Sequence, residues 1–270
     1  MKIFFSIVIL LHGLIHLLGF IKAYGLAELK ELTLPISKQS GLFWLFLAIM
    51  FIVSGILYIM KNDVWWVIAF PAVIFSQILI IYSWHDAWAG TIANVIILAA
   101  AIVALAGWTF EHQYREDVRE SLERTRDIKE EPVTEADLSH LPKPVQKYLR
   151  YAGVVNQPKV THMKIVFEGQ MRDKGKDWFS FTSEQYNFFD KPTRLFFMKA
   201  GIKGIPAWGY HAYQNGQAFM KVKLLSLIPV VKVSGKEMFE AETVTVFNDM
   251  CLLAPATLID QNIRWEPIDD

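Results

Sequence analysis

Charge is scarce in the first 110 residues, which hold five Lys, no Arg and four acids. A water-soluble domain carries about a quarter charged residues, so this stretch is not one. Cysteine is scarcer still. Cys251 stands alone, which excludes a disulfide scaffold and any cysteine-based metal knuckle. Charge of one sign is missing as well: 27 basic residues balance 27 acidic ones, and no basic stripe appears. That excludes a nucleic-acid binder. A disordered chain is excluded by the 53% hydrophobic content. The sequence also lacks G-x-S-x-G, a Walker loop and a G-x-G-x-x-G turn after a strand. Gly201-Ile-Lys-Gly204 is too short for such a motif and reads as a loop, so no catalytic residue is assigned.

What is present first is long apolar runs. Residues 3–21, 42–60, 64–84 and 91–110 each approach the roughly 20 residues needed to cross a bilayer. Lys2 followed by an apolar stretch suggests a secretory signal, but no small-x-small site follows and three more runs do, so the first is read as a retained span. Trp44, Trp65, Trp66, Trp84, Trp88 and Trp108 fall near the run ends, where amphipathic indoles favour the membrane interface. Four spans place both flanks on one side. Lys2, Lys61, Arg115, Arg119, Arg124 and Arg126 lie there, against Lys22, Lys30 and Lys38 opposite. This asymmetry predicts a multi-pass protein of the plasma (inner) membrane with termini and soluble domain cytoplasmic.

Polar side chains inside a bilayer are costly and ask for a reason. His12 and His16 are four apart and share a helix face. Gln77 lies in the third run, His85 and Asp86 cap it, and Asn94 begins the fourth. At 1.5 Å per residue, His16, Gln77 and Asn94 sit roughly 7, 10 and 5 Å below the outer ends of their helices. They therefore share one half of the membrane. One reading makes His12, His16, His85 and Asp86 a metal, haem, quinone or proton-relay site, with Asp86 orienting a histidine and Gln77 and Asn94 completing a polar cluster. The plainer reading is interhelical hydrogen bonding, helped by close contacts at Gly13 and Gly19. H-x-x-x-H lacks the glutamate of H-E-x-x-H, so zinc-protease chemistry is not expected.

Residues 111–131 are nearly all charged, with Glu111/Arg115 and Glu120/Arg124 at i,i+4, and read as a solvated helical linker between a 1–110 helical module and a 132–270 domain. Thr134 is a candidate N-cap, and Pro144 suits the first turn of a helix to about Tyr151. Beyond Gly153 the period becomes two. Strands are expected around 162–168, 178–189, 193–199, 208–213 and 218–225, the last two joined at Asn215-Gly216 by a type I′ turn. The apolar stretch 224–231 reads either as a buried strand or as a lip touching the bilayer. A helix over 236–250 and a helical stretch over 252–258 follow, and 263–270 looks like a strand just starting, as in a chain truncated within its sheet. The expected fold is thus an all-α membrane four-helix module followed by an α+β domain whose antiparallel meander curves like a half-barrel. Alternation points Phe179 and Phe181 to one face and Trp178, Tyr186 and Phe188 to the other. Such a face is either core beneath the 236–250 helix or an apolar ligand surface. His211 reads as a hydrogen-bonded surface histidine, and Asp260, Glu266, Asp269 and Asp270 as a solvated terminus or a weak cation site.

The segments His12-Gly-Leu-Ile-His-Leu-Leu-Gly-Phe20, Trp84-His-Asp-Ala87, Gly90-Thr-Ile-Ala-Asn94, Leu141-Pro-Lys-Pro-Val-Gln-Lys-Tyr-Leu-Arg-Tyr151 and Arg264-Trp-Glu-Pro267 resemble an uncharacterised bacterial membrane-protein family. The resemblance implies a four-span module joined to a β-rich domain that continues past Trp-Glu-Pro, and it brings no activity or catalytic residues. Two readings of function stay open. One is a membrane-anchored module binding a lipid-like ligand or an envelope partner; the other is a redox, metal-binding or proton-handling protein using the intramembrane histidines.

Overall fold

The structure is a computed structural model that describes residues 2–30, 32–129 and 131–268. It divides into two compact units, Met1–Thr109 and Phe110–Asp270.

The first unit is helical: α1 (Lys2–Ala23), α2 (Lys38–Ile59), α3 (Trp65–Tyr82), the single turn α4 (Trp84–Ala87) and the start of α5 (Gly90–Thr125). α1, α2, α3 and α5 are each long and apolar enough to cross a membrane. Their polarity is inverted relative to a soluble bundle. Small and aromatic residues such as Ala69, Ala72, Ala101, Phe51 and Trp65 pack inside with Ile9 and Ile97, whereas Phe4, Ile7, Phe46, Ile49 and Val95 point outward. An outward apolar surface of this kind suits contact with lipid tails, which solvate leucine as well as a protein core does. α1 and α2 pack through glycine. A Cβ on Gly19 would lie 2.5 Å from the Trp44 ring, and one on Gly13 3.0 Å from Phe51. Two tryptophans depart from the interfacial expectation and are buried in the bundle: Trp44 fills the space at Gly19, and Trp65 packs against Phe5 and Tyr58. Trp84, Trp88 and Trp108 are exposed, as interfacial anchoring requires.

In the second unit the described residues form a six-stranded antiparallel meander, β1 (His162–Met171), β2 (Phe179–Phe188), β3 (Thr193–Ile202), β4 (Ile205–Gln214), β5 (Gln217–Leu224) and β6 (Ile228–Ser234), in sequential order and not closed. The architecture is α+β, as expected. Asn215 and Gly216 take φ of 54° and 72°, the left-handed pair of a I′ turn. Two further turns escaped the sequence. Lys203-Gly204 is a tight hairpin rather than an open loop, and Leu225-Ser226 has φ of 52° and 58°. That second turn splits the 224–231 stretch, so the sheet has six strands where five were expected. Neither Gly nor Asn marks it. The final residues are also corrected: 263–268 pair with no strand, and Ile263 and Trp265 pack instead into a cluster with Leu138, Leu149 and Leu258.

Around the sheet lie α6 (Glu135–Leu138), α7 (Lys143–Tyr151), α8 (Lys236–Leu253) and a 3-10 turn, Pro255–Ile259. Thr134 and Asp137 form a reciprocal capping box on α6. One helix carries the chain from the last apolar run into this unit. Its charged tail is not a fully solvated spacer, since Phe110, Tyr114 and Val118 are buried against Phe188, Leu195, Phe197 and Tyr210. Arg115, Arg119 and Glu123 occupy its exposed side, so a strip of three apolar residues at helical spacing was hidden among charges. α8 covers the opposite face of the sheet through Tyr213, Ala218, Phe239 and Val246.

Candidate functional site: a roofed cavity at paired histidines

The helical unit encloses a cavity of about 560 Å³, lined by α1, the α1–α2 loop, Trp44, the end of α3, α4 and the first turns of α5. Its size lies within the range of small-molecule sites. His12 and His16 form part of its wall and are almost wholly enclosed, at 3% and 1% exposure. The spacing of four places them on one face of α1, and their rings meet edge to face at 4.5 Å.

A directed chain of hydrogen bonds fixes these rings. The His12 carbonyl can only accept, so His16 donates to it from Nδ1, at 2.8 Å. In the neutral ring Nε2 is then the acceptor, and Ser76 Oγ donates to it at 2.9 Å. Ser76 Oγ in turn accepts from Asn94 Nδ2 at 3.1 Å, and the same amide donates to Gln77 Oε1 at 3.0 Å. Gln77 Nε2 ends the chain on Thr91 Oγ1. With the Asn94 amide in this orientation, its Oδ1 accepts at 2.9 Å from His12 Nε2. Buried polar groups so completely matched hold three helices in register.

The roof is the loop between α1 and α2. Asp86 Oδ2 accepts from the backbone N–H groups of Thr33 and Leu34 at 2.6 and 2.8 Å, and Oδ1 accepts from Thr33 Oγ1 and His85 Nδ1 at 2.8 and 2.9 Å. These bonds, led by that from His85, hold the Asp86 carboxyl well below the usual carboxylate range. From the other side Lys22 Nζ donates to the Leu32 carbonyl. Leu29, Leu32, Leu34 and Ile36 thereby cap the chamber.

The structure brings His12, His16, Gln77 and Asn94 into one network, as their common depth suggested. His85 and Asp86 are not part of it. They pair with each other and with the roof, and among the described residues no three His, Cys, Asp or Glu side chains gather to hold a metal ion. The four-ligand set is corrected for a physical reason: both His16 nitrogens and both Asp86 oxygens are already engaged. Ser76, at the centre of the network, was missed; a hydroxyl beside Gln77 in an otherwise apolar run was its only signal.

The sheet residues fare differently. Phe188 is fully buried and offers no ligand face, while Tyr186, half-buried beside it under the tail of α5, lines a polar cleft with Arg115, Lys164 and Glu184. Trp178 precedes β2, exposed, with the Arg172 guanidinium 4.6 Å from its ring. Phe179 and Phe181 are half-buried on the other face. That face, expected as apolar core under α8, carries a polar cluster beside the apolar contacts of Tyr213, Ala218 and Val246. Arg194 donates to Glu242 (2.9 Å), Asp249 (3.2 Å) and Gln185 (2.9 Å), while Asn187 and Gln185 also donate to Asp249. Burial alone would raise the Glu242 carboxyl, but His211 and Arg194 outweigh it and leave it below its usual value. His211 is thus tied to this cluster, 3.8 Å from Glu242. Asp260 accepts from Asn262, Glu266 is exposed, and Asp269 and Asp270 lie outside the described residues.

The class defined by these observations is a module of four helices long and apolar enough to cross a membrane, followed by an open antiparallel α+β unit. Within it, the chain belongs to the family of unknown function DUF6544, whose model matches residues 131–270. No curated protein and no solved structure matches it.

Proposed function

We propose that this is a multi-pass membrane protein whose helical module binds a slender, lipid-like ligand. The observation that carries the reading is the shape of the cavity. Between α1 and α5 its wall is made of Leu11, Ile15 and Ile92, side chains that are themselves about half exposed on the outer surface. The chamber therefore opens sideways, where lipid tails would lie, while its roof is closed by the Asp86-anchored loop. An apolar chain entering from the bilayer keeps its tail in hydrocarbon and gains enclosure for its head. The bilayer is then both solvent and source of the ligand. The six-to-three basic asymmetry supports cytoplasmic termini in an inner membrane, with the sheet unit on that side.

A redox or metal role is less well supported, because the nitrogens of His16 have no free lone pair for coordination. Native mass spectrometry of the protein released from bilayers tests the proposal. The expected result is a retained adduct of lipid-like mass, lost in Ala93→Phe, which fills the cavity wall without touching the polar network. Equal adducts on both proteins would contradict it.

A further inference from the structure

Strand direction puts three hairpin turns at one end of the sheet: 172–178 between β1 and β2, 203–204 between β3 and β4, and 225–227 between β5 and β6. Ile202 and Ile205 face each other across the second turn, and Leu224 and Ile228 across the third. The Leu225 N–H donates to the Pro206 carbonyl, so these two tips form one surface. Trp178, Ile202, Ile205, Leu227 and Ile228 are 57, 40, 46, 44 and 57% exposed there. The turns at the opposite end are built on Asp190-Lys191 and Asn215-Gly216 instead. Exposed apolar side chains gathered at one set of turns mark an interaction surface.

The tail of α5 says which way that end points. Arg124 binds Asp190 at the polar end of the sheet, Asp117 accepts from Tyr210 midway, and Glu111 meets Lys199 nearer the apolar turns. From Arg124 back to Glu111 the helix covers about 20 Å. From Phe188, beneath Arg124, to Thr182, the partner of Lys199, β2 also covers about 20 Å, so the helix runs alongside the strands. Glu111 is the first charge after the apolar run 91–110 and marks the membrane surface. The Ile202–Ile205 pair ends β3 about 10 Å beyond Lys199 in the same direction. Interfacial apolar groups bury about 5–10 Å into the headgroup and acyl boundary, which matches that reach. We infer that this end of the sheet is seated in the bilayer interface, with the β3–β4 and β5–β6 turns inserted among lipid headgroups and Trp178 beside them. The charges around the tips fit an anionic leaflet: Arg172, Lys174, Lys176 and Lys203 stand there against Asp173 and Asp177. Trp178, with the Arg172 guanidinium over its ring, is the side chain such a layer favours. This seating is independent of the chamber and rests only on the reading of residues 91–110 as a membrane span.

The test uses the full chain with Cys251→Ser, which removes its one thiol, in phosphatidylcholine–phosphatidylglycerol vesicles. Nitroxide labels are placed singly at four exposed positions: Ile205→Cys and Ile228→Cys on the tips, Gln217→Cys at the opposite end, and Ile102→Cys in the span. Collisions with molecular oxygen, which concentrates in lipid, and with a water-soluble nickel chelate read the depth of each. The expected result is an oxygen-to-nickel ratio several-fold higher at 205 and 228 than at 217. Ratios at 205 and 228 equal to that at 217, with 102 in lipid, overturn the seating and leave the span standing. Shielding of 205 and 228 from both reagents means that protein covers the tips, and overturns it as well. A label at 102 open to the chelate overturns the span itself. Omitting phosphatidylglycerol should lower the ratio at 228, and an unchanged ratio refutes the role given to the basic residues.

Discussion

Arg194→Met isolates the polar cluster beneath α8. Methionine keeps an apolar stem against Phe196, over whose ring the guanidinium now lies at 5.2 Å, and deletes three donors at once. Glu242 and Asp249, whose side chains are 8% and 17% exposed, would then share one enclosed space without their cation. Breaking a fully buried pair costs about 3–5 kcal/mol, and the partial exposure of Asp249 puts this site near the lower end, about 3 kcal/mol. For a unit of this size that is a fall of roughly 6–12 °C in Tm. The assay is thermal unfolding of the full chain in detergent, followed by intrinsic fluorescence. Adding Glu242→Gln and Asp249→Asn should recover most of the loss, because the cost is that of uncompensated charge rather than of lost attraction. Arg119→Met, whose partners Glu116 and Glu123 lie on the exposed side of α5, should leave Tm unchanged. A single mutant within about 2 °C of the native protein, or a triple mutant as unstable as the single, would refute the reasoning.

Other outcomes follow from the same structure. Tyr210 is buried and donates to Asp117; burial first, then that carboxylate, push its phenol far up. A raised phenol pKa stabilises the fold below the unfolded value of about 10 and loses that contribution as pH climbs beyond it. Alkaline unfolding should therefore begin near pH 10 and be flattened in Tyr210→Phe, as pH-dependent melting would show. Gly216→Val places a branched side chain at φ of 72° and should cost about 1–2 kcal/mol in the same melting assay. Asp86→Ala removes the anchor of the roof, so amide hydrogen exchange at Thr33 and Leu34 should accelerate while the α1–α2 core stays protected.

Much of the fold was legible because it rests on periodicity. Apolar runs gave the four helices, and alternation with Asn215-Gly216 gave the meander and one of its hairpins. The Leu225-Ser226 turn was not legible, since its positive φ is imposed by strand pairing on residues with no preference for it. The buried strip Phe110, Tyr114, Val118 was masked by the charges around it. In the site, helix geometry alone placed His12 beside His16, and depth arithmetic brought in Gln77 and Asn94. Depth says nothing of rotation about a helix axis. That is why Asp86 was grouped with the buried histidines although it turns to the loop, and why Ser76 went unnoticed. The polar face under α8 combined two separate signals, Gln185 and Asn187 at strand spacing and Glu242 and Asp249 two helical turns apart. Only the fold shows that they meet.

The central claim is that the helical chamber receives a lipid-like ligand. A high-resolution density map of the protein in a lipid bilayer tests it most directly. The account expects chain-shaped density entering between α1 and α5 past Leu11, Ile15 and Ile92 and filling the chamber. Side chains closing that gap, with no such density in the chamber, would contradict it.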